Sequence, residues 1–211
     1  MKTKLPNLAN LLYELSNLDR VPRSGLYQFL YEDVESISQH TCKVAMIAYF
    51  MAKELDLDPG KVLLMAIFHD SMETRTSDSN WIQKQYVEQN EKKATEDQLQ
   101  VLDEATQTEI KEAITNYKER KTPEAKVVKD ADYIEYFMTL KTEEMKGNRE
   151  ATKRLQYETV NLDFLYTDLG KKLLKEVLKT DPNGWTRTDH HKTMKQYKKQ
   201  VKTVRKKGKL E

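Results

Sequence analysis

The sequence predicts an all-α fold, and three observations carry that expectation. Gly and Pro together make only 11 of 211 residues, about 5% against a usual combined share of about 12%. Apolar residues recur at helical spacing along most of the chain. No segment alternates apolar and polar residues for long enough to define a strand.

The elements follow in order. Leu8, Leu11, Leu12, Leu15 and Leu18 form one face of a first helix. Residues 21–33 break that spacing: Pro22, Gly25, Tyr27, Phe29 and Tyr31 read as a loop or extended segment. A second helix starts near Ser36 or Ser38 and runs to about Leu55, on the stripe Val44, Ile47, Ala48, Met51 and Leu55. His40 lies one turn before Val44 on the same face, and apolar residues on the other faces predict that neighbours cover this helix. Asp58-Pro59 is a helix start, with Asp as N-cap and Pro at the first helical position. The run from Val62 to Phe68 is apolar on every face, which predicts a central helix buried all round. It ends in His69-Asp70-Ser71-Met72-Glu73. Residues 74–80 read as polar and irregular, and residues 81–102 and 106–117 as charged surface helices. Thr122-Pro123 opens a long helix through Lys141 and on toward Leu155. Residues 164–178 are amphipathic, Asp181-Pro182-Asn183-Gly184 is a turn, and residues 188–206 form a basic terminal helix or tail. Two units are expected: a helical domain over residues 1–180 and a basic C-terminal segment over 181–211.

Composition excludes several classes. The longest unbroken apolar run, Val44 to Ala52, falls far short of the ~20 residues a membrane span needs. The N-terminus has no apolar segment of the secretory kind. The single cysteine, Cys42, makes no internal disulfide and no thiolate zinc cage; it is expected to be a small buried hydrophobe. These features predict a soluble cytoplasmic protein without a membrane partner. The formal charge of +2 is uneven. Residues 192–211 hold nine Lys or Arg and one acid, so an acidic body carries a basic tail. The tail lacks interleaved aromatics apart from Tyr197, and the acidic body opposes a polyanion, so nucleic acid is not the expected partner. His190-His191 are expected to be solvated.

Four histidines exist: His40, His69, His190 and His191. His40 sits on the inward stripe of one helix, and His69 ends another with Asp70 directly after it. The helix after Pro123 brings in Asp130 and Asp132. Two imidazoles and carboxylates from three buried helices make a mixed nitrogen and oxygen site for a divalent metal ion. Mn, Fe, Co, Ni or Mg suit it, with Zn also admissible. Asp130 and Asp132 flank the apolar stripe on opposite sides, so periodicity leaves the choice between them open.

The segments Arg20-Val21-Pro22-Arg23-Ser24-Gly25, Glu35-Ser36-Ile37-Ser38-Gln39-His40, His69-Asp70-Ser71-Met72-Glu73 with Asp78, and Val128-Lys129-Asp130-Ala131-Asp132 resemble a known pattern. It is that of the HD superfamily of metal-dependent phosphohydrolases, and the closest branch is the HD-domain 5′-deoxynucleotidases. The resemblance covers roughly residues 8–154. It implies an HD-domain helical bundle with a metal site between buried helices, and a metal held by His40, His69, Asp70 and Asp132. Asp130 is then a solvated charge or a partner to a ligand. The resemblance also matches Arg23 to a phosphate-binding role, and a homodimer is implied.

Phosphate-ester hydrolysis spreads negative charge over phosphate oxygens, so a second cation is needed, and Arg23 offers a two-pronged one. Glu73, one turn after His69 on a continuing helix, is placed to orient or deprotonate water. Asp78 could act as general acid or bind the sugar. Lys84, with Arg20 and Lys129, is a lesser candidate for substrate phosphate. Three departures from the family pattern stand out. Gln39 replaces an acid before the first His, so a carboxylate that supports a ligand is expected to be missing. Ser77 replaces a Gly, which predicts a less tight loop. Leu26 and Tyr27 stand where many relatives carry a Trp. The implied function is removal of phosphate from (deoxy)nucleoside 5′-monophosphates, a small-molecule nucleotide substrate. The alternatives are a cyclic or polyphosphorylated nucleotide as substrate, or an inactive scaffold that binds nucleic acid or protein.

Overall fold

A computed structural model describes residues 3–30 and 34–207, with side chains except those of 188–191, 200 and 203–207. The described residues form ten α-helices: α1 (Leu5–Ser16), α2 (Ile37–Glu54), α3 (Pro59–Phe68), α4 (Glu73–Thr76), α5 (Glu91–Leu99), α6 (Glu104–Glu119), α7 (Pro123–Met145), α8 (Arg149–Glu158), α9 (Asp168–Lys179) and α10 (Gly184–Lys207). They contain no β-strand, only an isolated antiparallel bridge between Pro22 and Ser36. No helix among them is long and apolar enough to cross a membrane.

Helices α2, α3 and α7 form the centre. α7 packs on α2 and α3, α8 and α9 lie on α7, and α6 covers α3 and α7. The core between them is built from Val44, Ala48, Met51, Val62, Ala66, Val128, Ala131 and Ile134, each nearly or fully buried. Their starts are written in the sequence. The Asp58 carboxylate accepts from the N–H groups of Gly60 and Lys61 ahead of Pro59, and the Thr122 hydroxyl accepts from Ala125 N–H ahead of Pro123. Ser36 and Gln39 close a reciprocal capping box at α2.

Several boundaries differ from expectation, each for a local reason. Residues 81–102 are not one helix. The Asn80 side chain winds a short tight turn over Gln83–Gln85, and the Asn90 side chain caps a fresh start at α5. The helix after Pro123 stops at Met145, where Gly147 takes a φ of 89° and Asn148 caps α8. Residues 74–76, part of a stretch expected to be irregular, belong to the single turn α4. The amphipathic segment begins at Asp168, not 164, because Thr167 caps it.

Two expected coverings are incomplete. On α3, Ile67 is exposed although the run around it is apolar. On α2, Met46 and Phe50 face out, and so does Cys42. Cys42 is therefore not a buried hydrophobe, because it lies on the face of α2 turned away from α3 and α7. The side chains of His190 and His191 lie outside the described ones.

Candidate metal centre

His40 projects from the buried face of α2, His69 follows the last turn of α3, and Asp132 lies on α7. Their placement is fixed through the far ring nitrogens. His40 Nδ1–H donates to Glu135 Oε2 at 2.7 Å, and His69 Nδ1–H donates to the Ala66 carbonyl at 2.8 Å. Both rings therefore turn Nε2 toward one point. There His40 Nε2 lies 3.4 Å from Asp132 Oδ1 and 3.8 Å from Asp70 Oδ2, and His69 Nε2 lies 3.1 Å from Asp70 Oδ2. Neither Nε2 atom has a hydrogen-bond partner, although both are buried. Buried polar atoms are normally satisfied, so two orphaned imidazole nitrogens beside two carboxylates are the mark of a cation site. Imidazole and carboxylate donors fit a divalent transition metal or magnesium.

The electrostatics agree. Burial pushes Asp132 up, but Lys129, His40 and Arg23 outweigh it and hold the carboxyl well below the usual range. Burial likewise opposes ionisation of Asp70, and the neighbouring His69 and His40 rings override it. Burial and the Arg23 guanidinium lower His40, yet Asp132 and Glu135 lift it to about 9. The carboxylates around His40 thus stabilise positive charge at the point where the Nε2 atoms meet.

Glu135 was not singled out by the sequence, and it supplies the supporting carboxylate that Gln39 lacks. Gln39 is spent on the capping box. Glu135 is fully buried; burial raises its carboxyl, but His40 and Lys43 hold it near 2. Tyr117 was also missed. Its hydroxyl donates to Asp132 Oδ2 at 2.8 Å, and its ring lies edge-on to His69, 5.0 Å between centroids. Lys129 holds the same Asp132 oxygen at 2.6 Å.

Asp130 differs from expectation. It is fully buried and points away from the centre. Its two oxygens accept from the N–H groups of Tyr166 and Thr167 and from the Thr167 hydroxyl, at 2.6–2.8 Å. It anchors the start of α9 and is neither solvated nor a partner to a ligand.

A cavity of about 610 Å³ opens over the centre, lined by Arg23, Asp70, Glu73, Asp78, Lys84 and Asp132 among others. Arg23 is placed by the bridge to α2, its N–H donating to the Glu35 carbonyl at 3.0 Å. Burial works against its charge, but Asp132, Asp70 and Asp78 outweigh that and raise it further. Asp78 Oδ2 accepts from Ser24 N–H at 2.8 Å, which ties the Arg23 loop to the loop after α4. Residues 69–72 form turns between the end of α3 at Phe68 and the start of α4 at Glu73, so Glu73 is not on a continuation of α3. It still faces the cavity. Burial, with Asp70 and Asp78 nearby, pushes its carboxyl up to about 10. Lys84 sits exposed on the rim. Ser77 does not relax the loop: it takes a φ of 61° and a ψ of 160°, a region that disfavours side chains. The Gln89 amide clamps that turn by donating to the carbonyls of Thr76 and Ser77.

A sequence model of the HD domain matches residues 15–167. The chain belongs to the HD domain family. A 5′-deoxynucleotidase of Xenopus laevis is 29% identical over 168 residues, 78% of this chain and 79% of that protein. A 5′-deoxynucleotidase of Schizosaccharomyces pombe is 29% identical over 178 residues, 81% of this chain and 88% of that one. Among solved structures, a conserved hypothetical protein from Pyrococcus furiosus superposes with a TM-score of 0.65 at 26% identity, covering 82% of this chain and 99% of its own. The matched residues of the HD domain contain every group of the centre described above.

Proposed function

We infer that this HD domain is a metal-dependent phosphohydrolase that removes phosphate from nucleoside 5′-monophosphates, 2′-deoxynucleotides foremost. The carrying observation is the pair of unpartnered Nε2 atoms of His40 and His69 beside Asp70 and Asp132, with Arg23 lining the same cavity. The likeness to 5′-deoxynucleotidases over about four-fifths of the chain supports the substrate class.

In this proposal His40, His69, Asp70 and Asp132 hold a divalent ion. Bound there, it supplies a Lewis acid and a water of lowered pKa. The chain's own groups do the rest. Arg23 presents two parallel N–H donors to phosphate oxygens that gain charge as the ester bond breaks. Asp78 holds the Arg23 loop through Ser24 and so fixes where that fork points. In the metal-free chain, burial, with Asp70 and Asp78 nearby, disfavours the Glu73 anion and raises its carboxyl. Its Oε2 is buried without a partner, which suits donation to the leaving 5′-oxygen better than proton removal. Lys84 adds positive charge at the entrance for the arriving phosphate. A cytoplasmic homodimer belongs to the same proposal, on the family resemblance.

The test is phosphate release from a panel of deoxy- and ribonucleoside 5′-monophosphates, cyclic nucleotides and nucleoside polyphosphates, with Mn²⁺, Co²⁺, Mg²⁺ or Zn²⁺. The expected result is turnover of 5′-monophosphates, faster with the 2′-deoxy sugar. Turnover confined to cyclic or polyphosphorylated nucleotides replaces the substrate class. Metal bound without turnover of any of them overturns the enzyme reading.

A further inference from the structure

The cavity over the metal centre extends along the loop that follows Asp78, where Asn80, Trp81 and Lys84 line it. Trp81 is 67% exposed. A lone exposed aromatic is ordinary on a protein surface, but this one walls the cavity that also holds Asp70 and Asp132. Its backbone is fixed. Asn80 is buried, its Oδ1 accepts from the N–H groups of Ile82 and Gln83 at 3.1 Å, and its amide donates to Gln83 Oε1 at 2.8 Å. The indole therefore projects from a wound, capped turn.

The other aromatic rings lining the cavity are engaged. Tyr117 donates to Asp132 and lies against His69. Tyr133 has Lys129 Nζ 4.6 Å from its ring centroid and Phe164 at its edge. The Tyr136 hydroxyl donates to Glu158, and its ring meets Phe137. Among the described residues no ring or cation packs on the Trp81 indole. Tyr27 is not among the residues that line the cavity, although its neighbours Leu26 and Gln28 are.

We propose that Trp81 is the residue on which the nucleobase stacks while the phosphate sits at Arg23 and the metal centre, a role that rests on the nucleotidase reading above. An indole face and a base are both flat, polarisable and costly to leave in water, and stacking gains from covering both. Every base has such a face, so Trp81 selects for the presence of a base and little for its identity. It separates a nucleotide from a sugar phosphate that lacks one.

Trp81→Ala and Trp81→Phe are compared with the parent as metal-loaded enzymes. The substrates are 2′-deoxyadenosine 5′-monophosphate and base-free 2-deoxyribose 5-phosphate. Trp81→Ala is expected to raise KM for the nucleotide by about tenfold with kcat unchanged. KM for the base-free ester stays put, and Trp81→Phe recovers most of the loss. An equal change on both substrates, or none on either, overturns the role. A binding measurement separates this from failure of the nucleotidase reading. The chain has two tryptophans, so Trp185→Phe leaves Trp81 as the only indole, and 2′-deoxyadenosine is titrated against its fluorescence. Quenching without hydrolysis of any nucleotide sinks the nucleotidase reading and leaves the stacking site in place. Hydrolysis without quenching overturns the stacking site alone, and neither signal overturns both.

Discussion

Glu135 and His40 face each other across the α2–α7 interface, Oε2 to Nδ1 at 2.7 Å, and both are fully buried. A buried carboxylate on the far nitrogen fixes the ring's tautomer and makes the near nitrogen a better donor. Lys43 pairs with the same carboxylate, which keeps the interface from burying an uncompensated anion.

Glu135→Gln keeps the volume and removes the charge. It is expected to lower metal affinity by about 10- to 100-fold, with the helical circular dichroism unchanged. Isothermal titration with Mn²⁺ checks it. Affinity equal to the parent's would show that Glu135 serves packing and not the ring.

Asp132 and Asp130 lie two residues apart and meet different neighbours. Asp132→Ala is expected to abolish tight metal binding. Asp130→Ala is expected to retain a full complement of metal and to lose about 1–3 kcal/mol of stability, since it strands the Tyr166 and Thr167 N–H groups and the Thr167 hydroxyl ahead of α9. Gly170 gives a second handle. A Cβ there would collide with the Asp130 carboxylate, so Gly170→Ala is expected to resemble Asp130→Ala. Elemental analysis beside urea titration separates the two carboxylates, and metal loss in Asp130→Ala would reverse their assignment.

That pair also shows how much the sequence disclosed. The stripe on α7 placed Asp130 and Asp132 on its two flanks and went no further. What separates them is the neighbour on each side, α2 and the end of α3 for one, the Tyr166–Thr167 turn for the other. Those neighbours are tertiary facts. Glu135 left a legible trace: it falls four residues after Ala131 and seven after Val128, on the buried stripe itself, where an acid needs a partner. Tyr117 left none, because its bond to Asp132 spans a change of helix. Ser77 carried a misleading trace. A residue with a side chain suggested a looser turn, but the clamp from Gln89 holds the tight one. The helix starts at Pro59 and Pro123 were readable because caps are local, whereas the breaks near residues 81–90 and 146–148 depend on Asn side chains folding back on the backbone.

Glu73 makes stability depend on pH. Burial, with Asp70 and Asp78 beside it, lifts its carboxyl to about 10, against about 4.3 for a free glutamate. Across that window the folded metal-free chain holds a proton that the unfolded chain has released, so stability falls as pH rises. Glu73→Gln carries no proton to lose. In chelator-treated protein it is expected to melt higher than the parent at alkaline pH, with the gap closing toward acid. Melting curves that run parallel from acid to alkaline pH would rule this out.

Arg23 tests the site from the substrate side. Its guanidinium faces Asp132, Asp70 and Asp78, so it is drawn toward the centre before substrate arrives, and Asp78 holds its loop through Ser24. Lysine at that position keeps one charge and loses the planar fork that meets two phosphate oxygens. If the fork acts mainly on charge that develops as the ester breaks, kcat falls more than KM rises. Arg23→Lys is expected to cut kcat/KM by about 10²- to 10³-fold, the scale seen when one oxyanion donor is lost. Metal content stays unchanged, because Arg23 contributes no electron pair. Arg23→Ala is expected to drop further and to recover part of its rate when guanidinium ion is added, since the cavity then has room for the missing fork. Steady-state kinetics on 2′-deoxyadenosine 5′-monophosphate with added guanidinium, set against a sodium control of equal ionic strength, measure that recovery. A rate loss traceable to lost metal would instead make Arg23 a structural counter-charge to Asp132.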